Sequence, residues 1–260
     1  MPIPLAAVVT EGIAFLVVLF VVISLYIRYS NRRKPAALTL AVAFNFWDLG
    51  ALCLFTGKLL TYILEQRAGG ELGPDQINFS HLGINLGYGF SALSNVFLMV
   101  FVAQIFSQTP FFRRTKMTLP IIAGAFNGIT IGLVIEAIRR TWPVPSYNIG
   151  PTVYHLILTF IAFGSVGIFS IRPLRNATFR WEKAGFIFII VSSIFGILIY
   201  LSFAIDVILP QASVVFEGGY TPFYYLGYVF AIFMCAFAYF GYVMPKFIRD
   251  IFREQQSYHN

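Results

Sequence analysis

An all-α bundle of seven membrane-spanning helices is the fold this sequence predicts, and three observations predict it. Apolar residues make up 58% of the 260 and charged residues only 11%, with a mean hydropathy of +0.77. The apolar residues are gathered into runs of about twenty or more, the length a helix needs to cross a hydrocarbon core. The remaining charges lie mostly between the runs. With connections of only about ten to sixteen residues, no separate soluble domain fits.

The formal charge of +7 does not read as a nucleic-acid surface, because lysine and arginine gather at the ends of the runs. The first run, about residues 4–27, has no positive charge before it and Arg28, Arg32, Arg33 and Lys34 directly after it. A cleaved signal peptide carries its charge on the other side, so this is a retained helix with its N-terminus outside. The second run, about 36–64, leads into the polar stretch EQRAGGELGPDQINFS, and the third, about 81–107, is followed by Arg113, Arg114 and Lys116. The fourth, 118–138, ends at Arg139 and Arg140, and the fifth, 151–171, precedes Arg172, Arg175, Arg180 and Lys183. The sixth covers 184–209, and the seventh, about 222–243, meets Lys246, Arg249 and Arg253.

Fourteen of the eighteen basic residues then fall on one side and three, Arg67, Arg139 and Arg140, on the other, with Lys58 inside a span. The positive-inside rule gives an outer N-terminus, a cytoplasmic C-terminus and an odd number of spans. The chain divides into a transmembrane domain, residues 1–245, and a cytoplasmic tail, 246–260. A multi-pass protein of the cell membrane, surrounded by the lipid bilayer, is expected. Prolines fall in loops or near helix ends, which counts against the broken helices of many transporters.

Small residues recur every four positions at Gly83, Gly87 and Ser91, continued by Asn95, in the third span, and at Gly124, Gly128 and Gly132 in the fourth. Side chains four apart share a helix face, so each stripe predicts close approach of another backbone, within the bundle or in a homo-oligomer. In the tail, Phe247, Ile248, Ile251 and Phe252 form one face of a short helix and Lys246, Arg249, Asp250 and Arg253 the other, the pattern of a helix on a membrane surface. It serves as an anchor or as a docking element, and since the chain ends at Asn260 any signal needs a separate protein partner.

The candidate ligand-binding residues are the ionisable and amide groups inside the spans. Asp48 lies about twelve residues into its helix, roughly 18 Å at 1.5 Å per residue, near the bilayer centre. Lys58 lies about 9 Å from the outer boundary by the same rise, at nearly the depth of Glu11 on the first span. Glu136 and Asp206 lie near outer span ends, with His81, Asn85, His155, Tyr62, Tyr220, Tyr224, Tyr225 and Tyr228 in the same third. Intramembrane charges turn to the protein interior or to water, because lipid exposure costs about 2.5 kcal/mol or more each. An outward-opening polar pocket around Glu11, Asp48, Lys58, Asn85, Glu136, His155 and Asp206 is therefore expected. The structural alternatives are snorkelling for Lys58, interface placement for the groups near span ends, and for Asp48 a hydrogen bond to Asn95.

No metal, cofactor or catalytic constellation is expected. The three histidines are scattered, and Cys53 and Cys235 both lie within spans, so no extracellular disulfide is expected. In topology alone the chain resembles microbial rhodopsins and animal-type receptors. The likeness ends at the last span, which has no lysine to hold a retinal. Asn78-Phe-Ser80 forms a glycosylation sequon on the expected outer side. Three function classes remain: a ligand-sensing receptor-like protein, a proton or small-solute transporter using Asp48, and a non-catalytic subunit of a larger membrane assembly. No enzyme activity is expected.

Overall fold

The structure, a computed structural model, describes residues 2–73, 76–107, 109–115, 117–142, 149–212 and 220–257. Among the described residues the chain forms nine helices and no strand: α1 Leu5–Arg32, α2 Pro35–Ala68, α3 Phe79–Ile105, α4 Pro110–Thr115, α5 Thr118–Thr141, α6 Ile149–Asn176, α7 Arg180–Ala212, α8 Pro222–Val243 and α9 Lys246–Ser257. Seven of these are long and apolar enough to cross a membrane. Helix is the form an apolar run takes in lipid, because it satisfies every backbone N–H and C=O within the segment.

The helix ends follow local chemistry rather than hydropathy. Pro35 starts α2 at a position where no N–H is needed, and Gly69 ends it with φ +72°, a left-handed conformation that suits glycine. Asn78 caps α3 by accepting the His81 N–H at 3.0 Å, and the Thr221 hydroxyl caps α8 by accepting the Phe223 N–H. For the same reason α6 and α7 run several residues past their apolar stretches, taking in Pro173 and Pro210 near their last turns.

Six of the long helices close a ring. Helix α1 packs against α2 and α8, α2 against α3, α3 against α6, α6 against α7, and α7 against α8. Helix α5 stands outside it, touching α3 and α6 and exposing Ile121, Phe126, Ile129 and Ile135. The half of the ring with the basic helix ends is filled by aliphatic and aromatic side chains, including Val18, Leu40, Phe101, Val102 and Met234.

The two small-residue stripes are used differently. Gly83 and Gly87 lie against α2, where a Cβ at Gly83 would run into the Cys53 carbonyl and one at Gly57 into that of Phe79. Beside Gly128 and Gly132 there is nothing within 4 Å. Among the described residues the α5 stripe has one neighbour, Val96 of α3, 3.8 Å from a Cβ at Gly124, so it brings no second backbone close within the bundle, which leaves the homo-oligomer contact as the expectation for its open face. Gly83→Ala is expected to cost about 1–3 kcal/mol in unfolding experiments in mixed micelles, from overpacking at the α2–α3 seam. Gly128→Ala is expected to cost nothing. Equal losses at the two positions would contradict this seam.

Helix α9 packs against α7 through Phe252, whose ring meets Phe188 at 6.4 Å between centroids. Phe247 and Ile251 stay exposed, at 60% and 51%.

Candidate functional site

Matching depth and inward-facing stripes bring acid and base together in the half of the bundle that holds Lys58. Lys58 Nζ lies 2.7 Å from Glu11 Oε1 and donates to the Tyr224 hydroxyl at 2.6 Å. The Tyr224 and Tyr228 hydroxyls both donate to the same Glu11 oxygen, at 2.6 and 2.7 Å, while Glu11 Oε2 is buried without a partner. The ammonium also lies over the rings of Tyr220 and Tyr224, 4.9 and 4.4 Å from their centres, where the negative π face attracts a cation. Glu11 and Lys58 are 2% and 4% exposed, so the cluster is closed rather than open to the outside. It ties α1 and α2 to α8.

Two acids close the rim. Glu65 Oε2 accepts the Ile3 N–H at 2.7 Å, and Asp206 Oδ1 accepts the Thr221 N–H at 2.8 Å, with Asp206 within electrostatic reach of Lys58. Glu65 carried no signal in the sequence, since it stands at a span end beside ordinary loop residues.

The expected polar pocket is not assembled from the predicted set. Glu136 sits on the peripheral α5, half exposed, and holds Arg139 at 2.9 Å and also Arg140. Depth along a helix does not say which way a side chain faces. Asn85 donates to the His81 carbonyl at 3.0 Å within α3. Asp48 is buried at 6% exposure, and among the described residues its Oδ1 has no hydrogen-bond partner and no ion pair includes it. Asn95 turns instead to Thr159 at 2.9 Å and Asn127 at 3.4 Å. An ionised carboxylate at Asp48 has nothing to offset its desolvation. Asp48→Asn is expected to leave stability unchanged or raised in mixed-micelle unfolding, and a loss of more than about 2 kcal/mol would reveal a compensated charge.

What the ring does enclose is a largely apolar cavity of about 160 Å³, beside the ion-paired cluster. All six ring helices line it, through residues such as Val18, Trp47, Ile84, His155, Phe203 and Tyr228. Two of its lining residues, Val153 on α6 and Ile208 on α7, are 48% and 56% exposed. The cavity thus reaches the outer surface of the bundle through apolar side chains of adjacent helices. Among the described residues no acid, lysine or arginine lines it.

One polar network borders the cavity. Trp47 Nε1 donates to the Tyr200 hydroxyl at 3.2 Å, which meets Ser91 Oγ at 2.6 Å, which meets His155 Nε2 at 3.0 Å. Trp47 and His155 could be picked out in the sequence by type and depth. Tyr200 and Thr159 could not, being a tyrosine and a threonine in apolar runs with nothing to mark their partners. Among the described residues no group of His, Cys, Asp and Glu has the arrangement of a metal site, and Cys53 and Cys235 are free thiols.

No family model, curated protein or solved structure matches this chain.

Proposed function

We propose that this protein is a membrane sensor of a small, mainly apolar ligand, which occupies the interhelical cavity and signals through a separate partner at the cytoplasmic face. One observation carries the reading: Tyr228 belongs to both features. Its ring lines the cavity, and its hydroxyl is bonded at 2.7 Å to the Glu11 oxygen that holds Lys58. An occupant that moves Tyr228 perturbs the group joining α1, α2 and α8, and packed helices respond by shifting as rigid bodies between discrete arrangements. The exposed Val153 and Ile208, both near the outer ends of their spans, mark the side from which a ligand enters.

The test uses spin labels at exposed Ile105 and Lys183, on the ends of α3 and α7 far from Lys58. Methylcyclohexane added to protein in nanodiscs is expected to shift the distance distribution between them. Tyr228→Phe is expected to bind the probe yet lose the shift. A distribution that stays unchanged while the probe is bound would sink the sensor reading.

Asp48 supports a second reading, proton or small-solute transport, because a buried carboxyl at mid-span whose Oδ1 has no hydrogen-bond partner among the described residues has an oxygen that can take up and give back a proton. Proteoliposome flux that depends on pH and disappears in Asp48→Asn is its signature. Absence of flux in the wild-type protein would end it.

A further inference from the structure

Helix α9 starts two residues after α8 ends, so it stays at the level where the last span meets the headgroups. Two ring contacts hold it there: Phe252 against Phe188 of α7, and Phe247 edge-on to Phe240 of α8 at 6.5 Å between centroids. Phe247 and Ile251, one turn apart on the same side of α9, are nevertheless more than half exposed. The start of α7 lies beside this corner, since a Cβ at Gly185 would stand 3.2 Å from Met244 Cε. It adds Trp181, stacked on Phe179 at 6.1 Å, and tryptophan gathers at headgroup level.

Another edge of α9 is cationic. Lys246 is exposed, and Arg249, three positions on, is half-buried. Side chains three apart on a helix are neighbours, about 5–6 Å between Cβ atoms, and like charges there repel. The fold does not relieve them, because among the described residues neither Glu182 of α7 nor Asp250 of α9 pairs with either cation. Within the Arg249 guanidinium only Nε is sealed from solvent without a partner. Packing thus holds the root of the group, while its terminal nitrogens, which meet no acceptor in the fold, stay open to the surroundings.

We propose that α9 binds an anionic phospholipid, with Lys246 and the terminal nitrogens of Arg249 receiving the headgroup phosphate and Phe247 and Ile251 lying against the acyl chains. Two uncompensated cations beside an apolar edge, at the depth where a span ends, call for a partner that is both anionic and apolar. A zwitterionic lipid carries its own ammonium next to the phosphate and brings no net charge to the pair. An acidic protein segment satisfies the cations but supplies no cover for Phe247 and Ile251. The inference does not depend on the cavity or its occupant.

Native mass spectrometry of the full chain, released from micelles, tests it with phosphatidylglycerol and phosphatidylcholine of identical acyl chains in equal amounts. The first bound lipid is expected to be mainly phosphatidylglycerol. Arg249→Gln is expected to lower that preference about fivefold or more, the worth of one charge-assisted hydrogen bond, and Arg249→Lys to restore part of it. Arg114→Gln removes the same charge from an exposed position on α4 and is expected to leave the preference unchanged. Equal losses in Arg249→Gln and Arg114→Gln would show diffuse attraction to a basic surface and overturn the site.

Glycerol 3-phosphate, which has the phosphate without the chains, is expected not to displace the lipid at equal concentration. Displacement by it would overturn the assignment to a lipid, and displacement by a glutamate-rich peptide would give the face to a protein segment instead. Independently of any variant, backbone amides of α9 are expected to exchange hydrogen more slowly in phosphatidylglycerol nanodiscs than in phosphatidylcholine nanodiscs. Identical exchange in the two overturns the proposal even if the glutamine variant does not fold.

Discussion

Lys58→Met is expected to destabilise the bundle by about 3–5 kcal/mol, the usual cost of leaving one member of a buried ion pair uncompensated. The structure makes the loss asymmetric rather than local. Glu11 keeps two tyrosine donors but loses the cation that offset its charge, and its second oxygen is already buried without a partner. Glu11→Gln is expected to cost a similar amount from the other side, since Lys58 then keeps its tyrosine hydroxyl and ring contacts and the more distant Asp206 but loses its directly paired carboxylate. The double variant removes both charges and is expected to recover most of either loss. Measured in mixed-micelle unfolding, losses that simply add in the double variant would show that Glu11 and Lys58 do not act as a pair.

Filling the cavity is expected to act in the opposite direction on stability while ending ligand binding. Ala204 on α7 lines the space, and leucine at that position places three more carbons where the structure has a void. At about 0.8 kcal/mol per buried methylene, less some strain, a gain of about 1–2 kcal/mol is expected. Affinity for methylcyclohexane is expected to fall at least tenfold. Natural proteins sit only just above a stability threshold, so stabilising substitutions of this kind are readily found, and their recurrent cost is lost function. If Ala204→Leu lowers stability and leaves binding intact, the space is elsewhere occupied or is not the site.

How far the sequence reaches differs sharply from one residue to the next. The seven spans follow from hydropathy because lipid allows so few backbone solutions. The depth comparison that set Glu11 against Lys58 works because a helix rises by a constant ~1.5 Å per residue. The same comparison misassigned Glu136, whose depth suits the cluster while its helix lies outside the ring. Azimuth depends on which helices are neighbours, and nothing within one span records that. For the same reason the period of the α5 glycines does not say what covers them, and only Gly124 meets a neighbouring helix among the described residues. Most opaque of all was the cavity, since a void is defined by atoms that are missing from between six helices. Ser91 was legible only as a small residue in a stripe, and its hydroxyl takes on meaning once Tyr200 and His155 face it.

The α2–α3 seam and the ionic cluster also divide the work of the bundle. Glycine contacts hold α2 to α3 by backbone proximity, while α8 is joined to α1 and α2 through polar groups. A seam of tightly packed backbones has little room to adjust. A cluster built on hydroxyls and one ion pair can exchange partners, which is what a ligand acting on Tyr228 requires.

Occupancy of the cavity is tested most directly by anomalous diffraction from crystals soaked in bromocyclohexane. A bromine peak inside the ring, within contact distance of Trp47, His155 and Tyr228, is the predicted result, and it should vanish in Ala204→Leu crystals. Bromine found only along the lipid-facing surfaces, with the space between the six helices empty at saturating soak, would contradict a ligand site there.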